Sequence, residues 1–150
     1  MPTSNNNIIP WTLPVNIETT TTIPRAEEWA WDFDNYEFKF NSAGQMYKVY
    51  ENEAIKIWIW KLFKTWRWHE IVHSDAYGSD IWSLIGKGFS KGFTESEARR
   101  IAKEAIEDNL GRYITSIGVI DVSLEHGKLK LKIPITTIYS QREEVMEIGV

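Results

Sequence analysis

The sequence predicts an α+β fold, and three patterns along the chain indicate it. Aromatic residues alternate with polar ones from Trp29 to Tyr50, which is typical of a β-hairpin. Two helical segments follow, one very apolar and one amphipathic. Strict alternation then returns between Tyr113 and Tyr139. Hairpins on both sides of a helical region favour an α+β domain with antiparallel strands.

The length of the chain suits one compact domain. With 150 residues, it is long enough for one core and short for two. We predict a single α+β domain over residues 26–140, an extended arm over 1–25 and a C-terminal tail or strand over 141–150. The arm is rich in Asn, Thr and Pro, and its prolines prevent a regular helix or central strand. Its apolar residues around Trp11 either anchor on a neighbouring subunit or lie as a strap across their own domain.

The first hairpin changes the parity of its side chains at a turn. Aromatic residues alternate with one parity up to Phe33 and with the opposite parity from Tyr36 onward. A turn or bulge must therefore lie at Asp34–Asn35. The Asn41–Gly44 segment supplies a second turn, and Met46–Tyr50 is predicted to be the returning strand.

The central helix, which follows near Glu53, is more apolar than one core requires. When successive residues are placed at steps of about 100°, Glu53 and the lysines share one sector. Ile57 and Trp60 fall inside that same sector. A helix that packs on a single core does not need large apolar groups there. We therefore predict that Ile57 and Trp60 contact a partner protein.

The segment after this helix contains turns and a short helix. The sequence predicts extended chain over Trp66–His73, a turn at Asp75–Gly78, and a short helix over Asp80–Ile85 that is capped by Ser79. Gly86–Phe93 is expected to be a flexible joint. It lacks the Gly-Lys-Ser/Thr ending of a phosphate-binding loop, so we do not expect nucleotide binding.

The amphipathic helix is the most regular element of the sequence. Thr94 and Glu97 have the spacing of a capping box that would begin it, and Gly111 would end it. Its predicted buried face consists of Ala98, Ile101, Ala102, Ala105, Ile106 and Leu110. The opposite face is charged, so the helix should pack on one side only.

The last part of the predicted domain reads as an antiparallel hairpin. Tyr113–Leu124 and Lys128–Tyr139 are the predicted strands, with the turn at Glu125–Gly127. In the second strand, lysines alternate with apolar residues. One face should therefore be packed and the other solvated. The apolar positions are Leu129, Leu131, Ile133 and Ile135.

This second strand is predicted to lie at an edge of its sheet. Pro134 cannot donate to a ladder, which favours either an edge strand or a bulge. An edge that is protected by lysines resists random pairing but can accept one correct strand. We therefore include Leu129, Leu131 and Ile133 in the predicted interaction surface.

The composition argues against several classes of function. The net charge of −4 argues against general nucleic-acid binding, which usually needs a basic face. No cysteine is present, which excludes a thiol nucleophile and a thiolate zinc site. The start of the chain has no signal-peptide pattern, and no apolar run is long enough to span a membrane. The eight tryptophans are typical of protein interfaces and of sugar-binding sites.

The sequence contains candidate catalytic residues but no convincing catalytic pair. Glu70, Asp75 and Asp80 lie near tryptophans, and a glycosidase needs two carboxylates about 5 to 9.5 Å apart. His69 and His73, with Asp75, have a spacing that could bind a metal, but no second group of ligands accompanies them. We predict no enzymatic activity, metal or cofactor. A peptidoglycan-degrading or sugar-binding tail module remains the alternative.

The central block of the chain resembles a known family. The matching segments are Glu53–Ile55 with Trp58–Lys61, Thr65–Arg67, Ser74–Gly78 and Leu84–Lys87. Together they are similar to the small baseplate wedge proteins, or sheath initiators, of contractile-tailed phages and phage-tail-like particles. This family is related to the T-even tail-lysozyme-like wedge subunit. The resemblance covers about residues 29–140 and includes the segments Arg112–Ile117 and Thr137–Tyr139.

The resemblance implies a structural subunit of the baseplate, in a sixfold ring, that links the wedge to the first ring of sheath. The implied partners are other wedge subunits and the tail sheath protein, with hub or tube proteins as further candidates, and neither nucleic acid nor membrane. The protein would be located in the virion or tail-like particle after assembly in the host cytoplasm. A tail-fibre or chaperone accessory is a third possibility.

The resemblance also implies roles for individual residues. Arg67 and Tyr77–Gly78 match the arginine and aromatic-glycine positions of the family, which we assign, together with Trp66, to wedge contacts. The Leu129–Ile135 strand would face the sheath. Relatives often carry Gly-Glu or Glu-Pro before the arginine, whereas this chain has Thr65–Trp66.

Overall fold

The protein is described by a computed structural model, which covers residues 22–68 and 77–150. Two helices pack on one face of a four-stranded antiparallel sheet, and a small N-terminal hairpin unit packs beside the first helix. The predicted α+β class is confirmed. The strands are β1 (Glu27–Trp29), β2 (Trp31–Asp32), β3 (Glu37–Phe38), β4 (Lys48–Tyr50), β5 (Ile114–Ile117), β6 (Asp121–Glu125), β7 (Lys128–Thr137) and β8 (Ser140–Gly149). The helices are α1 (Asn52–Lys64), a 3-10 helix (Asp80–Leu84) and α2 (Lys91–Leu110).

The N-terminal hairpin unit contains both predicted turns. Strand β2 pairs with β3, and β1 pairs with β4. The Asp32 carboxylate closes the first turn by accepting hydrogen bonds from the backbone N–H groups of Asp34 and Asn35, at 2.9 and 3.1 Å. The Asn41 side chain closes the second turn in the same way. Short polar side chains thus stabilise both turns through local bonds to the backbone, as their residue types predict.

Helix α1 lies along strand β8. At its start, the Asn52 side chain donates to Glu144, at 2.9 Å, and at its end the Lys64 ammonium donates to the carbonyl of Gly149, at 2.8 Å. Between these ends, Ile55, Ile59, Leu62 and Phe63 are fully buried. Their spacing places them on the face of the helix that packs on the sheet.

Helix α2 begins earlier than the sequence predicts. Its N-cap is Ser90, whose hydroxyl accepts from the N–H of Phe93, at 3.4 Å. The predicted capping box of Thr94 and Glu97 is wrong: Thr94 is buried and donates to the carbonyl of Ser90, while Glu97 pairs with Arg100. Ser90 and Thr94 are both good N-cap residues, and they lie one turn apart. The residues between them, Lys91–Phe93, can adopt a helical conformation, so the helix begins at the earlier cap. The predicted buried face and the end at Gly111 are confirmed.

The sheet places β7 at its centre. Strands β5 and β6 pair with one side of β7, and β8 pairs with the other side from Lys130–Gly149 to Thr137–Ser140. The predicted hairpin between β6 and β7 is confirmed, although the first predicted strand is interrupted between Ile117 and Asp121. The prediction that the Lys128–Tyr139 strand lies at an edge is wrong, because the last ten residues of the chain cover it.

Pro134 is accommodated by the interruption between β5 and β6. Its carbonyl accepts from the N–H of Gly118, at 2.8 Å. The C=O and N–H of a strand residue point to the same side, so the N–H that proline lacks would also point to this interruption. No hydrogen bond between β7 and β8 is therefore lost. A Cβ atom on Gly118 would lie 2.9 Å from the Cβ of Pro134. Of the two alternatives for Pro134, the structure shows the irregularity and not the edge.

The core lies between the helices and one face of the sheet. Apolar residues of β7 alternate with exposed lysines, which confirms the predicted packed and solvated faces. Met146 and Ile148 of β8 extend the packed face. The sheet and both helices share one cluster of buried side chains, so β8 belongs to the same core as β7.

Candidate protein-interaction site

The predicted partner-facing side of α1 is covered by the chain's own N-terminal hairpin unit. Ile57 is only 4% exposed. The ring of Trp60 is half-buried, with its centroid 5.3 Å from that of Trp31 and 6.0 Å from that of Tyr36. The second apolar side of the helix is thus covered, and for Ile57 this cover comes from the same chain rather than from a partner protein. Helix periodicity shows that a side chain needs cover and not which chain supplies it.

The hairpin unit is fastened to α1 by a partly buried carboxylate. Glu28 accepts hydrogen bonds from the indole N–H of Trp58, at 3.1 Å, and from Lys61. Burial raises the pKa of Glu28, but the hydrogen bonds from Lys61, from the Trp29 N–H and from Trp58 outweigh burial, so the pKa lies below its ordinary value. The ionised carboxylate therefore holds β1 against the helix at neutral pH.

Arg67 is turned into the fold rather than towards a partner. Its side chain is 12% exposed, and its Nε donates to the carbonyl of Gly78, at 3.3 Å. Its guanidinium nitrogens lie 3.7 Å from carboxylate oxygens of Asp80, Glu104 and Asp108. Arg67 thus joins the segment after α1 to the 3-10 helix and to α2. This internal position corrects the expectation of a wedge contact through the Arg67 side chain.

Gly78 allows two segments of backbone to cross. It has a φ of +115°, and a Cβ atom there would lie 2.7 Å from the carbonyl oxygen of Thr65. The adjoining Ser79 donates to that carbonyl, at 3.0 Å, and forms a parallel bridge with Trp66. Gly78 is buried, so it is not accessible to a partner protein at this crossing. The family-like Arg and Gly positions therefore have a structural role within the chain.

The two aromatic residues of this region differ in exposure. Tyr77 packs against the core, and burial raises the pKa of its hydroxyl, with a contribution from the charge of Glu28. Trp66 is 38% exposed and its neighbour Trp68 is 67% exposed. Of the residues that the sequence assigns to this surface, Trp66 therefore keeps accessible ring area.

The apolar residues of β7 do not form an interaction surface. Leu129, Leu131 and Ile133 are 0% exposed, and both sides of their strand are paired. Their prediction as sheath-facing residues is wrong. Alternation shows that one face of the strand is packed, but the order of strands in a sheet depends on distant parts of the chain.

Strand β8 carries the open edge instead. Leu129 and Val150 exchange both backbone hydrogen bonds, at 2.9 and 2.8 Å. Because bonding direction alternates along a strand and the register is regular up to Ile135–Glu144, the N–H and C=O groups of Val145 and Glu147 point away from β7. The Gly149 carbonyl also points outward, where it accepts from Lys64, and burial lowers the pKa of that ammonium.

Along β6, the opposite edge of the sheet is closed by side chains of α2. Glu95 accepts from the outward N–H of Leu124, at 3.1 Å. Arg99 donates to the carbonyl of Ile120, at 2.8 Å. An added strand would have to displace both contacts there. Among the described strands, β8 therefore carries the longest edge of this sheet that is open to a further strand.

A cleft of about 440 Å³ lies beside this open edge. Strand β8, α1 and the hairpin unit form its walls, and charged residues stand at its rim. Lys56 pairs with Glu53, at 3.1 Å, and with Glu144, at 2.8 Å. Burial lowers the pKa of Lys56, but these carboxylates outweigh burial and the pKa is raised. Its apolar lining includes Trp31, Phe33, Val49, Ile57, Val145 and Met146.

The hairpin unit also carries exposed aromatic rings that the sequence analysis did not assign to a surface. The sequence does indicate them, because aromatic residues occur at both odd and even positions and therefore on both faces of the hairpin. A small two-stranded unit cannot bury both of its faces. The larger exposed side chains of this unit are Trp29, Phe33, Tyr36, Phe38, Phe40, Met46, Tyr47 and Tyr50.

Most of the catalytic and metal-binding candidates lie outside the described residues. This applies to His69, Glu70, His73 and Asp75, whereas Asp80 lies beside Arg67. In residues 22–68 and 77–150, no group of three or more His, Cys, Asp or Glu side chains is placed to hold a metal ion. No helix in this part of the chain has the length and apolar character that crossing a membrane requires.

The chain matches a family of known proteins. A family described as contractile injection system sheath initiator matches residues 27–140, which is well over half of the chain. No curated protein matches the chain. The matched region begins with β1 and ends at the start of β8, so it spans the hairpin unit, all three helices and strands β5 to β7.

Proposed function

Because the chain belongs to the contractile injection system sheath initiator family, it has a structural role in such a system, and we propose that it joins the baseplate wedge to the first ring of sheath. The subunit would stand in a sixfold ring within the virion or tail-like particle, after assembly in the host cytoplasm. Hub or tube proteins are further candidate partners. The role is non-enzymatic, because the subunit acts through its interfaces.

The open edge of β8 is the observation that carries this proposal. An extended segment of the sheath protein would pair with the outward N–H and C=O groups of Val145 and Glu147. Main-chain pairing sets the register of an added strand, so the first sheath subunit would dock in one position. The sheath-facing strand is thus β8, in place of the predicted Leu129–Ile135 strand.

The exposed aromatic rings of the hairpin unit support a second contact, with other wedge subunits. Phe38 and Phe40 are 44% and 60% exposed, and Trp60 and Trp66 keep part of their ring area accessible. Aromatic residues of this kind dominate the buried centres of protein interfaces. The wedge would therefore bind the hairpin side of the molecule, while the sheath binds the edge of the sheet.

Substitution of Val145 tests the sheath contact. Val145→Pro removes an outward N–H without removing a bond to β7, whereas Val145→Thr keeps that N–H and serves as the matched control. We expect the proline variant to reduce particles with extended sheath by on the order of tenfold, counted in electron micrographs. The circular dichroism spectra of both variants should match that of the parent chain. Equal numbers of sheathed particles with the two variants would contradict the proposal.

A further inference from the structure

We propose that the segment that pairs with β8 places one large apolar side chain in the cleft between β8, α1 and the hairpin unit. This inference rests on the proposed sheath contact and adds the property that would make the contact selective. Its occupant is an extended strand of the sheath protein with an aliphatic or aromatic residue at the position opposite Val145–Glu147.

The position of the cleft follows from the residues of β8 that line it. Val145, Met146 and Glu147 are consecutive, and all three border the same space. Consecutive side chains of a strand point to opposite faces of the sheet, so they can border one space only at the edge itself. An added strand would lie about 4.8 Å from β8. Its side chains on the helical face would then point towards Ile57.

The chemistry of the cleft favours an apolar side chain. Trp31, Phe33, Val49 and Ile57 face the space, and its volume of about 440 Å³ is within the range of ligand pockets, roughly 300–1,000 Å³. At the rim, Lys56 and Glu147 are already paired, with Glu144 and with Lys132. An inserted charge would compete with these pairs, whereas an apolar group would bury its surface without that loss.

A further observation limits where an extended occupant can lie. At the other end of the edge, Tyr36 and Gly149 line the same two surface pockets. The carbonyl of Gly149 already accepts a hydrogen bond from Lys64. Pairing is thereby restricted to the part of β8 that adjoins the cleft.

Binding of the purified sheath protein of the same particle to the full-length chain tests the inference. Phe33→Lys places a charge in the cleft, and Phe89→Lys makes the same change at an exposed phenylalanine away from the cleft. Because the chain has no cysteine, a second pair of variants can each carry one bulky maleimide label. Lys39→Cys places the label at the rim of the cleft, and Gln45→Cys places it in the Asn41 turn, away from the cleft. Val145→Pro and Val145→Thr report strand pairing independently.

We expect Phe33→Lys and labelled Lys39→Cys to raise the Kd by on the order of tenfold, with Phe89→Lys and labelled Gln45→Cys within about twofold of the parent. If the cleft variants bind like their controls while Val145→Pro loses binding, the apolar anchor is wrong and strand pairing stands. If Val145→Pro binds like Val145→Thr, strand pairing on β8 is wrong and the anchor fails with it.

Discussion

At the scale of single residues, the tryptophans of this chain serve different purposes. The indole N–H of Trp82 donates to the buried carbonyl of Phe63, at 2.9 Å, and that of Trp58 donates to Glu28. The N–H of Trp31 is buried and has no hydrogen-bond partner among the described residues. Trp66 and Trp68 keep much of their ring surface exposed. Composition alone suggests an interface and cannot separate these roles.

The contrast between Trp31 and Trp82 leads to a prediction about stability. Trp82→Phe leaves a carbonyl of the fold unpaired, whereas Trp31→Phe removes a donor that is already unpaired. We expect Trp82→Phe to cost about 1–2 kcal/mol more in free energy of unfolding than Trp31→Phe. Urea titrations followed by far-UV circular dichroism measure the difference. An equal loss in the two variants would show that the Trp82 hydrogen bond adds no net stability.

At the scale of elements, the backbone crossing at Gly78 joins the end of α1 to the 3-10 helix. Thr65 accepts from Ser79, and Arg67 donates to Gly78 on the other side of the crossing. The guanidinium of Arg67 then reaches carboxylates of α2. The arginine and glycine that resemble the family motif thereby hold α1, the 3-10 helix and α2 together. Their separation in the sequence is the length of chain that returns to this crossing.

Alanine substitutions at two glycines separate close approach from simple flexibility. Gly78→Ala would place a methyl group against the Thr65 carbonyl in an unfavourable φ region, and we expect a loss of about 2–4 kcal/mol. Gly92 lies in the first turn of α2 with open space around it, so Gly92→Ala should stabilise the chain by about 0.5–1 kcal/mol. Melting temperatures of the two variants should move in opposite directions. A neutral Gly78→Ala would exclude the close crossing.

At the scale of the whole molecule, β8 completes both the sheet and the core. It pairs along most of β7, and it contributes Met146 and Ile148 to the buried face. Without it, β7 would become an edge and its apolar residues would lose their cover on one side. The C-terminal residues are therefore as important to the fold as the region that matches the family.

Removal of residues 141–150 tests this dependence. The truncation exposes β7 and deletes two buried side chains, so we expect a loss of at least about 4 kcal/mol, which is a large part of the stability of a typical domain. Thermal unfolding followed by near-UV circular dichroism should show no cooperative transition at the temperature of the parent. Val145→Thr, on the exposed face of the same strand, should unfold almost like the parent. A truncated chain that melts within a few degrees of the parent would mean that β8 is dispensable.

How far the sequence predicts the fold depends on the distance over which each feature is determined. The turn at Asp34–Asn35, the buried face of α2 and the alternation of β7 follow from neighbouring residues, and the structure confirms them. The sequence predicts the start of α2 one turn too late, because Ser90 and Thr94 compete as caps. For the candidate site, the sequence indicates an apolar second face and a receptive edge strand. It places the edge on β7 instead of β8, and it expects a partner protein where the hairpin unit lies against Ile57.

The α+β class, the periodicity of each helix and strand, and the resemblance to a family can be predicted from the amino-acid sequence, because they depend on local spacing and on short segments. The pairing of β8 with β7, which leaves β8 with an open edge, is apparent only in the folded chain. The same is true of the cover that the hairpin unit gives Ile57 and of the inward direction of Arg67. Strand order and the cover of an apolar face are contacts between distant parts of the chain, and local periodicity does not specify them.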